Sequence, residues 1–169
     1  KSSLAANTTA SDNTAVGSLS LCANTTGCWN TAVGQDTLKA NITGTRNVAI
    51  GRIALRSNTT ASCNVSVGFG SLESNTEGAS NVAVGTCSLY ANTTGTLNTA
   101  VGLCALNTNV SSNHNTAFGA QALRDNTGAS NTAIGSNSLL KNIGGAKNFE
   151  FVLFKSNFEY CFLNWPALN

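Results

Sequence analysis

The sequence predicts an all-β fold, a parallel β-solenoid (a β-roll) of about eight coils with a sequence period of 17. Three observations predict it: an internal repeat of that period, strand and turn residues inside the repeat, and a composition poor in charge. Only 9% of the residues are charged and 41% are hydrophobic, and the chain contains 24 Asn, 21 Thr and 16 Gly. A chain this poor in charge is not typical of disorder, and a low-charge chain rich in Asn, Thr and Gly favours stacked β-structure.

The repeat begins at an Asn that opens a pentapeptide such as Asn30–Gly34, and this Asn is position 1 of the repeat. The same position in successive repeats forms a column. The position-1 column is Asn13, Asn30, Asn47, Asn64, Asn81, Asn98, Asn115, Asn131 and Asn148. Every step along this column is one full period except a single step that is shorter by one, which falls in a turn between Asn126 and Asn131. Gly at position 5, Leu at position 9 and a second Asn at position 12 keep the same register.

A period of 17 is too short for a pair of helices and suits one coil of a β-solenoid. Val and Thr favour strands, while Gly and Asn favour turns. Within the pentapeptide, positions 2 and 4 share one face and position 3 lies on the other. Position 4 is always Val, Ile or Phe in the complete repeats, and position 3 is Ala or Ser. We expect position 4 and the Leu column to fill the interior, and position 3 to lie outside. There, either a neighbouring chain packs closely or Ala fits a tight bend.

Stacked coils lie about 4.8 Å apart, so eight repeats predict a rod of roughly 38 Å. Each column then becomes a ladder of equivalent residues, and Asn ladders link amide to amide. The two ends of such a stack expose unpaired strand edges and need caps.

The repeat pattern divides the chain into a solenoid domain, residues 1–147, and a C-terminal segment, residues 148–169. The second part is rich in aromatic residues and loses the Gly of the pentapeptide. Its aromatic residues are Phe149, Phe151, Phe154, Phe158, Tyr160, Phe162 and Trp165. Three interpretations remain open: a cap that covers the last coil, an association segment that docks on another subunit, or a sequencing or frameshift artefact.

The pattern NTAVG…AL…NTTG resembles the YadA-like head repeats of trimeric autotransporter adhesins and related repeats in bacteriophage tail fibres. The matching residues include Asn30–Gly34, Asn47–Gly51 and Asn131–Gly135. The resemblance covers about residues 1–148. It implies a left-handed parallel β-roll, three chains side by side, and a role in surface attachment. The period of 17 is longer than in the best-known adhesin heads, so the resemblance requires longer turns.

The six cysteines lack metal-type spacing, but two of them occupy one column. Cys87 and Cys104 are one period apart, so their Cα atoms should be close enough for a disulfide. Cys22 and Cys28 flank an NTTG turn and are a second candidate pair. The alternative is that these are unpaired buried thiols. Bridged cysteines would indicate an oxidising, extracellular environment.

Seven Asn-x-Ser/Thr sequons predict N-glycosylation if the source glycosylates such sites. They are Asn7, Asn24, Asn41, Asn58, Asn64, Asn92 and Asn109. Six of them share position 12, so attached sugars would form a stripe along the rod. The alternative is that Asn-Thr-Thr-Gly serves only as turn chemistry.

These features predict a structural or adhesive fibre module and no enzyme. The acids do not recur with the period, His114 has no partner at useful spacing, and no catalytic, cofactor or metal pattern occurs. A net charge of +2 argues against nucleic acid, and no stretch is long and apolar enough for membrane insertion. The expected partners are the chain itself, as a trimer or helical fibre, and a host-surface or matrix receptor. The expected location is extracellular, on a cell surface or a virion fibre.

Two alternative functions follow from the same repeat. The first is a shaft segment of a bacteriophage tail fibre. The second is an ice-binding β-solenoid, because Thr14, Thr31, Thr99, Thr116 and Thr132 share one column. Val interrupts that column at positions 48, 65 and 82, which disfavours a regular hydroxyl lattice.

Overall fold

The structure, a computed structural model, describes residues 2–152 and shows a parallel β-solenoid. Each coil contributes one three-residue strand to a sheet that runs along the rod. The strands are β1 (Thr14–Val16), β2 (Thr31–Val33), β3 (Val48–Ile50), β4 (Val65–Val67), β5 (Val82–Val84), β6 (Thr99–Val101), β7 (Thr116–Phe118), β9 (Thr132–Ile134) and β11 (Phe149–Phe151). A smaller parallel pair consists of β8 (Asp125–Asn126) and β10 (Lys141–Asn142). The predicted fold class is confirmed.

The register of the large sheet follows the repeat. The strand order is β1-β2-β3-β4-β5-β6-β7-β9-β11, and every neighbouring pair is parallel. Ala32 aligns with Ala49, one period later. The single shortened step leaves the sheet undisturbed, because Thr116 still aligns with Thr132. No helix occurs in residues 2–152, and therefore none that could cross a membrane.

Five columns point into the coil and form one continuous core. They are the two Asn columns, position 3, position 8 and the Leu column at position 9. Leu21, Leu38, Leu55, Leu72, Leu89, Leu106 and Leu123 are fully buried. The predicted burial of the Leu column is confirmed.

The predicted orientation of the pentapeptide is wrong, because position 3 lies inside and position 4 lies outside. Ala49 is 0% exposed, whereas its neighbour Ile50 is 41% exposed. The Ala and Leu columns belong to one hydrophobic cluster, so the Leu side chains already occupy the interior. The space that remains across the narrow coil accepts a methyl group and not a Val, Ile or Phe. The small size of position 3 therefore reflects this interior and not a neighbouring chain.

The corners of each coil use left-handed backbone at residues that are not glycine. In the third coil Ile53, Leu55 and Cys63 have φ values of 55°, 51° and 62°. This region is uncommon for such side chains and rare for Ile. Hydrogen bonds between coils hold it, since Ile53 N–H donates to Gln35 O (2.9 Å) and Leu55 N–H to Ser71 O (3.0 Å). Strained backbone persists where the surrounding structure determines it in this way.

The sheet extends past residue 147, where the repeat domain was expected to end. Strand β11 pairs with β9 and places Glu150 at position 3, opposite Ala133. The Glu150 carboxylate accepts a hydrogen bond from Leu139 N–H. In the preceding coil the equivalent donor, Leu123 N–H, bonds to Ser138 O of the next coil (2.9 Å). Glu150 thus takes the place of the carbonyl that a further coil would supply.

Candidate association surface

The outward side of the nine-stranded sheet is the most extended apolar surface of the described chain. Its two central columns are positions 2 and 4. They are bordered on one side by position 17 of the preceding repeat and on the other side by position 6. We call these four columns together the sheet face. Position 2 comprises Thr14, Thr31, Val48, Val65, Val82, Thr99, Thr116, Thr132 and Phe149. Position 4 comprises Val16, Val33, Ile50, Val67, Val84, Val101, Phe118, Ile134 and Phe151. Neither central column contains a charged residue.

The two borders of the sheet face mix charged, polar and aromatic side chains, and every one of them is exposed. Position 17 comprises Asp12, Trp29, Arg46, Cys63, Ser80, Leu97, His114, Ser130 and Lys147. Position 6 comprises Ser18, Gln35, Arg52, Phe69, Thr86, Leu103, Ala120 and Ser136. The Arg46 guanidinium lies 5.0 Å from the centroid of the Trp29 ring, and that of Arg52 lies 5.7 Å from the Phe69 ring.

Exposed apolar side chains are concentrated on this surface. Nine of the thirteen large hydrophobic residues that are exposed in residues 2–152 belong to the sheet face. They are Val16, Trp29, Ile50, Phe69, Leu97, Leu103, Phe118, Phe149 and Phe151. An apolar centre with a polar and aromatic rim is the organisation of protein–protein interfaces, and large exposed apolar patches mark interaction sites.

The turn side of the rod consists of positions 13 and 14 of each repeat. Thr side chains at position 13 form a second ladder there, which is polar. The hydroxyls of Thr25, Thr59 and Thr76 each donate to a main-chain carbonyl of the following coil at 3.2 Å. These hydroxyls link neighbouring coils. They therefore contribute to the stability of the rod.

A shallow groove of about 520 Å³ is lined by Ala23, Lys39, Ala40, Arg56 and Ser57. Both of its cations already have carboxylate partners. Lys39 Nζ lies 3.0 Å from Asp36 Oδ1, and Arg56 pairs with Glu73 at 3.2 Å. The hydrogen bond from Lys39 lowers the pKa of Asp36, so this carboxylate stays ionised beside the groove. We assign no anion site there.

The association segment is described only at its start. Phe149 and Phe151 lie on β11 with exposed side chains, in line with the apolar columns of the sheet face. The other aromatic candidates of the segment, Phe154, Phe158, Tyr160, Phe162 and Trp165, lie outside the described residues. Whether they cap the solenoid or dock on another subunit stays a prediction.

The four disulfide candidates, Cys22, Cys28, Cys87 and Cys104, are free thiols in this structure. Cys87 and Cys104 occupy equivalent positions of adjacent coils, as predicted from the repeat. Burial, followed by the charge of the neighbouring Cys104, raises the pKa of Cys87. The Sγ atom of Cys28 accepts a hydrogen bond from Ser11 N–H at 3.4 Å. Both bridges stay predictions that oxidation can test.

Glycosylation of the ladder sequons is incompatible with the folded coil. Asn24, Asn41, Asn58, Asn64, Asn92 and Asn109 are 0% exposed. The Asn58 amide, for example, donates to Asn41 Oδ1 (2.8 Å) and to Ala61 O (3.0 Å). A sugar on this nitrogen would break both hydrogen bonds and has no space, so the expected sugar stripe is wrong. Asn7 is exposed, and its glycosylation stays a prediction.

Within residues 2–152, no three His, Cys, Asp or Glu side chains come together to hold a metal ion. His114 is exposed on the border of the sheet face. No family model, curated protein or solved structure matches this chain.

Proposed function

We propose that this chain is a structural and adhesive module of an extracellular fibre, and that it self-associates laterally through the sheet face. The observation that carries the proposal is a pair of uncharged columns, one wholly apolar and one of Thr, Val and Phe, that runs along the outside of all nine strands. The buried Asn and Leu ladders stiffen the rod, and the sheet face supplies a contact that repeats once per coil. Attachment to a host surface or matrix receptor would use the turn side, which the contact leaves free.

The size of the sheet face supports an interface. Nine strands about 4.8 Å apart give a length of roughly 38 Å, and four alternating residues give a width of roughly 20 Å. The resulting area is about 760 Å², close to the roughly 800 Å² that each partner buries in a standard interface.

The resemblance to adhesin head repeats and tail-fibre repeats supports the same class of function, since both are repeat rods of surface-exposed fibres. A shaft segment of a phage tail fibre would use the sheet face in the same manner. The two central columns of the sheet face do not support hydrolytic chemistry, because they lack any acid, base or nucleophile other than Thr hydroxyls.

Analytical ultracentrifugation of the wild-type chain and of two charge variants tests the proposal. Ile50→Asp combined with Phe118→Asp places charges on the sheet face, and we expect it to sediment as a monomer with a nearly unchanged melting temperature. Thr26→Asp combined with Thr60→Asp is the matched control on the turn side, and it should associate like the wild type. A wild-type chain that stays monodisperse at the mass of a single chain, even at high concentration, would overturn the proposal.

The role of the aromatic segment needs a separate truncation. Deleting residues 153–169 retains β11 and removes the remaining aromatic candidates. If the segment contributes to association, light scattering and electron microscopy should show smaller assemblies for the truncated chain. Assemblies identical to those of the parent would leave the segment only as a cap.

Ice binding is the second candidate, favoured by the outward orientation of Thr14, Thr31, Thr99, Thr116 and Thr132. A thermal-hysteresis measurement separates the two candidates, because lateral self-association would cover this column. Hysteresis at micromolar concentration would favour ice binding. A freezing point equal to the melting point would exclude it.

A further inference from the structure

We infer that two copies pair through the sheet face with their rod axes antiparallel, so that the first strand of one copy lies against the last strand of the other. The inference rests on the proposed lateral self-association and specifies its geometry. It is carried by the charges and apolar side chains on the borders of the sheet face.

Two symmetric ways of pairing the sheet face exist, and they bring different residues together. We number the rows of the face 1 to 9, from β1 to β11 in sheet order. A two-fold axis along the rod keeps the rods parallel, and position 17 of each row then meets position 6 of the same row. A two-fold axis along the strands makes the rods antiparallel, and row 1 meets row 9 with position 17 opposite position 17.

Parallel pairing brings like charges together. Arg46 and Arg52 occupy the two borders of row 3, on either side of β3. Each would lie opposite the other residue of the partner copy, so that two pairs of like charges share this part of the interface. Neither guanidinium has a carboxylate partner within residues 2–152, and each lies over an aromatic ring of a neighbouring row. Like charges placed opposite each other in an interface weaken it and disfavour that register.

Antiparallel pairing separates the two Arg residues of row 3 and brings complementary groups together at the two ends and near the centre of the face. Asp12 in row 1 meets Lys147 in row 9, and symmetry repeats this contact at the other end. Phe69 in row 4 meets Leu103 in row 6 within the position-6 border. Arg52 meets the small side chain of Ala120, which leaves space for the guanidinium.

The two terminal charges are well placed for this role. Asp12 and Lys147 are exposed and form no ion pair within the described chain. Asp12 is also the only acid on the sheet face among residues 2–152. In a face-to-face pair, a single acid at one end and a lysine at the other form complementary contacts only when the rods run in opposite directions.

A charge-exchange experiment on the full chain tests the pairing. Asp12→Lys alone and Lys147→Asp alone should each raise the dimer dissociation constant about threefold to tenfold, as expected for exposed ion pairs. The double variant should return to the wild-type value. Glu77→Lys, an exposed charge change on the turn side, is the matched control and should have no effect. Additive single effects without recovery in the double variant would overturn the inference.

The Arg46→Glu variant is a second test, because the two arrangements predict different changes in its dimer dissociation constant. In a parallel pair it would replace the two pairs of like charges by pairs of opposite charges and tighten association. In the antiparallel pair Arg46 lies opposite His114, so the dissociation constant should change less than about threefold. Tighter association of this variant would contradict the inference.

Photo-cross-linking locates the rows directly. With p-benzoylphenylalanine in place of Val16, mass spectrometry should find intermolecular links to residues 147–151. Links to residues 12–18, or no link in an associated sample, would overturn the antiparallel arrangement. The same probe in place of Thr26 is the control and should give none. Sedimentation of the unlabelled chain separates the two proposals, because a monomer refutes the proposed function, whereas an associated sample with links between equal rows refutes only this inference.

Discussion

The side-chain amide of Asn41 donates to Asn24 Oδ1 at 2.8 Å and to Gly44 O at 3.0 Å. One buried side chain therefore closes a turn in its own coil and joins that coil to the preceding one. The pattern repeats at Asn58, Asn75 and Asn92. Buried polar groups are tolerated when they are hydrogen-bonded, and their loss then costs more than the bond itself.

We expect Asn58→Ala to lower the free energy of unfolding by about 3 kcal/mol, because it leaves buried partners unsatisfied. The variant removes the donor to Asn41 Oδ1 and the acceptor of the Asn75 amide. Urea denaturation followed by circular dichroism measures the change. Thr60→Ala, exposed two residues later, should stay within about 0.5 kcal/mol of the wild type. Equal effects of the two variants would show that the ladder does not stabilise the fold.

The inverted orientation of the pentapeptide gives a second prediction. Ala49→Leu should destabilise the chain by about 2–3 kcal/mol, because the side chain would enter a filled core. Ile50→Thr keeps a β-branched residue on the outside and should cost less than about 1 kcal/mol. Thermal denaturation at low protein concentration compares the two without the contribution of association. A larger loss of stability for Ile50→Thr than for Ala49→Leu would support the orientation first expected from the sequence, with position 4 inside.

Gly51 is required by close approach as well as by backbone conformation. Its φ is +124°, and a Cβ there would lie 2.6 Å from Gly68 O of the next coil. We expect Gly51→Ala to cost about 3 kcal/mol or more. Gly144 has a φ of +74° but no atom within 4 Å of a Cβ, so Gly144→Ala should cost only about 1 kcal/mol. The denaturation midpoints of the two variants distinguish the cost of a steric clash with the next coil from the cost of a positive φ alone.

Stability should depend little on pH across the neutral range and decline in acid. Hydrogen bonds from Lys39 and Arg124 lower the pKa values of Asp36 and Asp125 respectively. A lowered pKa in the folded state contributes stability above the unfolded value, and this contribution is lost as pH falls through the folded pKa. Unfolding free energies should be nearly constant between about pH 5 and pH 8 and fall below about pH 4. In the Asp36→Asn, Asp125→Asn double variant, an acid decline as steep as the wild type's would disprove this origin.

Oxidation should join Cys87 and Cys104, whose columns place the Cα atoms about 4.8 Å apart. Non-reducing peptide mapping after mild copper-catalysed oxidation identifies the bridge, and the melting temperature should rise because the unfolded chain loses entropy. Cys87→Ser should abolish the shift, whereas Cys63→Ser should not. A map that shows Cys87 only in mixed bridges would contradict the pairing.

The repeat alone was sufficient to predict the coil, its register and the Leu and Asn ladders. A period of 17 allows few architectures, and equivalent residues must stack when coils follow one another. The burial of Leu55 and the amide contact of Asn41 with Asn24 both follow from that translation. The corners were missed because Ile53 and Leu55 carry no turn signal. Their left-handed conformation is imposed by hydrogen bonds to the coils before and after their own.

The sequence by itself determined that Ala49 and Ile50 face opposite ways, and only the tertiary structure decided which of them is inside. Neither face of these strands is charged, so the alternation of residues does not indicate which face is inside. Which face is inside depends on the opposite wall of the coil. There the Leu column fills a narrow interior and leaves space only for a methyl group. The narrow interior also explains why the sequon amides are buried and why the bulky residues of position 4 face outward. The space available inside the coil depends on two opposite walls, whereas the residue pattern of a strand describes only one of them.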